Sequence, residues 1–137
     1  MSAEVILEHF ENTPLNAAAE PVWSYRHSYK RTHGSFYRQI ILFGDGEEGY
    51  QERRLTPREF RILRLICNGV YNREIASLLR IDYQTVKSHI TNIRDHLGIS
   101  KPDEGGEIRN LILWSVFENG FLRFEPRIPE ESWVGII

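Results

Sequence analysis

A chain of 137 residues has room for one core, or for a small domain with an appendage. Its apolar and charged shares, 41% and 26%, are ordinary for a globular protein and exclude wholesale disorder; no apolar run is long enough to cross a bilayer. The net charge of −2 hides a split: residues 51–100 carry 9 Lys/Arg against 5 Asp/Glu, while 1–50 and 101–137 each carry 4 against 7.

A basic block between acidic flanks is the asymmetry expected of a nucleic-acid-binding module, though a solvated, arginine-rich helix face gives the same count. The single cysteine, Cys67, excludes an internal disulfide and fits a reducing compartment. Met1-Ser2-Ala3-Glu4 lacks the basic and apolar regions of a secretory signal. The expected location is therefore the cytoplasm, most simply of a bacterium.

Taken in chain order, Ala3 to Glu11 suits a short helix, and Trp23 to Phe43 mixes aromatics and bases around a turn signal at Thr32-His33-Gly34. That stretch reads as a β-hairpin. Gly44-Asp45-Gly46-Glu47-Glu48-Gly49 reads as a loop, without the ligand spacing of an EF-hand. The first well-marked helix starts at Thr56 as N-cap, with Pro57 at the first helical position and Glu59 completing a capping box. Leu55 and Phe60 have the spacing of a hydrophobic staple. Leu63, Ile66 and Cys67 form a buried stripe ending near Gly69, which makes Cys67 a small core residue and not a redox sensor.

A second helix is expected from Asn72 as N-cap, turning Ile75, Leu78 and Leu79 inward, and it stops at Ile81-Asp82. Asp82 then caps a third helix whose Val86, Ile90, Ile93 and Leu97 share one face, closed by Gly98 and Ile99 in a Schellman ending. So short a connection makes the pair a helix–turn–helix. A fourth helix, Glu107 to Asn119, is apolar on more than one stripe and needs two apolar neighbours. The tail, with Pro126 and Pro129, is extended at most.

The stretch "LTPREFRILRLICNGVYNREIASLLRIDYQTVKSHITNIRDHLGIS" resembles the DNA-binding domain of LuxR-type (GerE-like, NarL-like) bacterial transcription regulators. The match lies in the L-T-x-R-E opening, the G-x-x-N-[KR]-E-I-A turn, the T-V-K-x-H start of the recognition helix and the N-I-x-x-x-L-G close. The resemblance implies a four-helix helix–turn–helix domain. With the short helix and possible hairpin read in the first 50 residues, the expected fold is mainly α, that domain preceded by a small α/β N-terminal segment. The expected division is 1–50 as a bracing or interaction segment, 51–121 as the DNA-binding domain and 122–137 as a tail.

By that resemblance the third helix, about 83–97, enters the major groove of double-stranded DNA, with Lys87, Ser88 and Thr91 on base edges. Arg73 and Thr85, assisted by Arg58 and Arg94, are the expected phosphate contacts. The fourth helix would pair two subunits through Ile108, Leu111, Ile112 and Ser115. Tyr83 either packs or touches the backbone, and His89 is expected to pack. No zinc site follows, because neither His89 nor His96 has a second ligand at the right spacing.

Two departures from the family stand out. "SKPDEGGE" lengthens the link before the fourth helix by roughly seven residues, placing Arg109 at the family's arginine position. The first 50 residues are also too few for a receiver or acyl-homoserine-lactone domain. They would brace the DNA domain, or offer residues 23–43 as a protein, ligand or minor-groove contact. The expected function is a sequence-specific DNA-binding regulator acting as a dimer, nucleoid-associated and without cofactor. The alternative is a protein-interaction module of the same fold that sequesters a regulator or polymerase subunit. No nucleophile–base pair, paired carboxylates, phosphate loop or metal cluster suggests an enzyme.

Overall fold

The computed structural model describes residues 19–100 and 107–126. The expected helix at Ala3–Glu11, residues 101–106 of the long link and the tail beyond Pro126 lie outside them. Five strands and four helices follow in the order β1 (Ala19–Trp23), β2 (Tyr25–Thr32), β3 (Ser35–Gly46), β4 (Gly49–Leu55), α1 (Pro57–Cys67), α2 (Asn72–Leu79), α3 (Tyr83–His96), α4 (Ile108–Glu118) and β5 (Leu122–Pro126). The expected four helices are present after a strand-rich N-terminal segment, and the mainly α character holds only roughly, since strands hold a share close to that of the helices.

The hairpin forms because His33 and Gly34 both take positive φ, 52° and 79°. That is the two-residue turn whose twist matches the flanking strands, and it sets Thr32 opposite Ser35. β3 continues through Gly44-Asp45-Gly46, so the reading of 44–49 as a loop is also corrected. The reversal is confined to Glu47-Glu48, with Gly46 opposite Gly49. The resulting sheet has the order β2-β3-β4, antiparallel throughout. β4 crosses residues 50 and 51, so the sheet runs without a break into the start of α1. Glu52 accepts from the Tyr50 hydroxyl and from Arg26, and these donors hold its carboxyl below the usual range. All three groups face water, so the cluster adds little stability.

A second pair, β1 with β5, joins residues far apart in the chain, from Ala19 opposite Pro126 to Trp23 opposite Leu122. The core lies between the sheet and the helices. Ile40, Leu42 and Leu55 from the strands meet Phe60, Leu63 and Ile66 of α1, Val86, Ile90 and Ile93 of α3, and Ile112 and Val116 of α4. Phe60 takes the rings of Trp23 and Tyr25 at 5.5 and 4.8 Å, which seats the start of the sheet on α1.

Local signals act where the sequence put them. Thr56 Oγ1 accepts from the Glu59 amide at 3.1 Å, and Glu59 Oε1 accepts from the Thr56 amide at 2.7 Å, the reciprocal capping box. Glu59 is buried, and its other oxygen lies 3.0 Å from His96 Nδ1 at the end of α3. Thr56→Ala should therefore cost about 1 kcal/mol in urea unfolding. At the end of α3, Gly98 takes φ 73°, its amide donates to Asp95 and that of Ile99 to Arg94, completing the Schellman ending. Burial pushes the Cys67 thiol up to about 12, so it is a core side chain without thiolate character at neutral pH.

Candidate nucleic-acid interface

α2 packs on α3 across a turn whose hinge is Arg80, in the left-handed region at φ 54°. The Ile81 amide donates back to Ala76 and closes α2 there. Only Ile75 of α2 is fully buried; Leu78, expected inward, is 63% exposed. Eight residues make barely two turns, so one stripe alone reaches the core.

Two caps differ from expectation. Asp82 stands at the N-cap of α3 without making a side-chain cap bond. Asn72 is the first residue inside α2, with Tyr71 at the N-cap. The reason is Arg109, which reaches across from α4: Nη1 donates to Asn72 Oδ1 at 2.6 Å and Nη2 donates to the Val70 carbonyl. Asn72 is an acceptor for that guanidinium instead of a cap. A second arginine, Arg53 of β4, donates from Nε to the Leu97 carbonyl at 3.1 Å and holds the other end of α3 against the sheet.

The face of α3 opposite the core is open. Gln84, Thr85, Lys87 and Ser88 are exposed and Thr91 is half-exposed, while Val86, Ile90 and Ile93 are buried. Ser88 Oγ donates to the Gln84 carbonyl and Thr91 Oγ1 to that of Lys87, both at 3.1 Å. Each hydroxyl hydrogen is thus spent on the helix, and the oxygens are left as acceptors. Such oxygens suit the amino groups of cytosine or adenine in the major groove, and Lys87 suits guanine acceptors.

Tyr83 links the two helices. Arg73 of α2 lies 5.9 Å, and Lys87 of α3 5.6 Å, from its ring centroid, so one aromatic ring draws a cation from each helix. The i, i+4 spacing of Tyr83 and Lys87 was a sequence signal for half of this cluster; the Arg73 half needs the turn geometry.

The remaining candidates are not gathered there. Arg94 is largely covered, and its Nη2 pairs with Asp95 Oδ1 at 2.8 Å, which neutralises much of its field. Arg58 is exposed in the first turn of α1, on a separate element. The four α4 residues expected at a dimer contact differ in burial. Ile112 is fully buried and Ser115 nearly so, because their side of α4 seals the protein's own core. Ile108 is half-buried against that core. Leu111 is half-exposed, and Trp114, which sequence reasoning did not single out, is 60% exposed. His89 is half-buried beside the core face. Among the described residues no group of His, Cys, Asp or Glu could hold a metal ion, and no helix is long and apolar enough to cross a membrane.

The pattern for "Bacterial regulatory proteins, luxR family" (GerE) matches residues 53–103, from Arg53 at the sheet through the whole helix–turn–helix. Residues 53–103 are a LuxR-family domain. The transcriptional regulatory protein LiaR of Bacillus subtilis (strain 168) is 47% identical over 55 residues, which is 40% of this chain and 26% of LiaR. The chain thus spans about a quarter of that relative's length. A solved VqmA–ligand–DNA complex from Vibrio cholera aligns with 93% of this chain and 69% of its own, at 12% identity and a TM-score of 0.42. The strands β1, β2, β3 and β5 and the helix α4 lie outside the matched LuxR-family span.

Proposed function

We propose that this protein is a sequence-specific double-stranded DNA-binding transcriptional regulator, with α3 seated in the major groove. The observation that carries the reading is the open face of α3, where Lys87 and Ser88 are exposed, Thr91 is half-exposed, and the Tyr83 ring draws in both Lys87 and Arg73. The LuxR-family domain and its likeness to a transcriptional regulatory protein support it. Arg73 and Thr85 take phosphates in this arrangement, and Arg58 adds a more distant positive charge. Pairing through α4 would use Leu111 and Trp114, since Ile112 and Ser115 are already committed to the core. By this division, residues 1–50 brace and extend the domain of 51–121, with 122–137 beyond it.

Selection of bound duplexes from a random pool, followed by salt titration, tests this. Affinity should fall steeply with salt, and a two-fold symmetric consensus would mark a dimer. Lys87→Ala should lose about 1–3 kcal/mol of discrimination at one base pair. Arg73→Ala should weaken all sequences alike and reduce the salt slope by about 1. If pooled duplex DNA at low salt is not shifted at all, the protein-interaction reading of the same fold takes its place.

A further inference from the structure

The sheet is only partly three-stranded. β4 pairs with β3 from Gly46 back to Ile40 and stops at Leu55. Beyond that point β2 and β3 continue alone through five pairs, from Ser28 opposite Gln39 to Thr32 opposite Ser35. This projecting arm leaves both its faces in water. Tyr29, Phe36 and Tyr37 are 69%, 70% and 55% exposed, although an isolated two-stranded ribbon is marginal and bare rings invite association.

The arm's charge is of one sign. No Asp or Glu occurs between Glu20 and Asp45, while Lys30, Arg31 and Arg38 sit on the arm and Arg26 at its base. Arg26 is occupied by Glu52 at 3.1 Å. Arg31 lies over the Phe36 ring at 5.4 Å, and neither Lys30 nor Arg38 makes an ion pair among the described residues. Charges placed only to keep an edge strand soluble normally mix signs. A single-sign ribbon with uncovered rings instead complements a polyanion. A two-stranded ribbon also has the width that a duplex groove admits.

We infer that the β2–β3 arm is a second DNA contact, binding duplex outside the segment read by α3, with Lys30, Arg31 and Arg38 on phosphates and Tyr29, Phe36 and Tyr37 against the sugar edges. This rests on the DNA-binding reading above. An acidic protein partner would offer charge of the right sign, but not a regular groove of the ribbon's width.

The test uses the full chain on a duplex carrying its selected site with long flanks, followed by anisotropy against salt and by hydroxyl-radical footprinting. The triple variant Lys30→Ala, Arg31→Ala, Arg38→Ala should bind about tenfold more weakly, with a salt slope lower by nearly three and a footprint shortened on the flank. Its base preference and melting temperature should match wild type, because the three residues are exposed and distant in sequence from α3. Arg31→Lys with Arg38→Lys should keep the slope. A triple variant with wild-type affinity, slope and footprint overturns the arm contact while leaving the α3 reading intact. Failure of the wild-type chain to bind any duplex overturns both.

Discussion

Gly44→Ala should lower the melting temperature by about 10 °C, a loss near 3 kcal/mol for a domain of this size, read by circular dichroism. A Cβ at Gly44 would lie 2.4 Å from the Asn119 carbonyl oxygen and 2.5 Å from that of Gly120. Both obstacles are backbone, in the turn that ends α4, where the Gly120 and Phe121 amides already donate to Phe117 and Val116. Neither carbonyl can swing aside without loosening that ending or drawing β3, with its buried Leu42, out of the core. Gly34→Ala is the control. Nothing lies within 4 Å of its Cβ, so only the strain of its positive φ is added, about 1 kcal/mol. Equal losses for the two variants would mean that close approach of β3 and α4 does not govern this contact.

Arg109→Ala should cost about 2–3 kcal/mol in denaturant unfolding, the scale for deleting charge-assisted bonds from a half-buried group. The guanidinium joins α4 to the Val70 carbonyl and to Asn72 at the head of α2, one residue before Arg73. Its loss leaves that carbonyl and amide short of a partner and frees α2 to shift on α3. The same variant should therefore weaken DNA binding without changing the preferred sequence. Arg109→Lys should recover little, since a point charge cannot serve two acceptors in a fixed fork. Wild-type stability in Arg109→Ala would show that α2 is held by its Ile75 packing alone.

What could be read from the sequence was whatever is decided within a turn or two. The Thr56–Glu59 box, the Gly98 ending, the His33-Gly34 hairpin and the buried stripe of α3 depend on neighbours three or four residues away or on a two-residue turn. The errors came where a distant partner decides. Asn72 had the chemistry of a cap, but Arg109 claimed its oxygen. Gly44 and Gly46 read as part of a loop, yet they are small because the end of α4 lies against them. α4 is apolar nearly all round, so its sequence alone does not say which side is inward; in the structure Ile112 and Ser115 are buried and Trp114 is exposed. In the candidate site, Lys87, Ser88 and Thr91 were nameable from family spacing, whereas the Tyr83 platform needed the crossing of α2 and α3.

The pairing of β1 with β5 carries a kinetic consequence. The helix–turn–helix can assemble from contacts close in sequence, but Trp23 cannot meet Leu122 until everything between them is compact. Closing so large a loop is entropically expensive before its reward arrives, which makes it a late event. Refolding should show an early helical phase and a slower one that fixes Trp23 on Phe60, and in native-state hydrogen exchange the β1 and β5 amides should open ahead of those in α1 and α3.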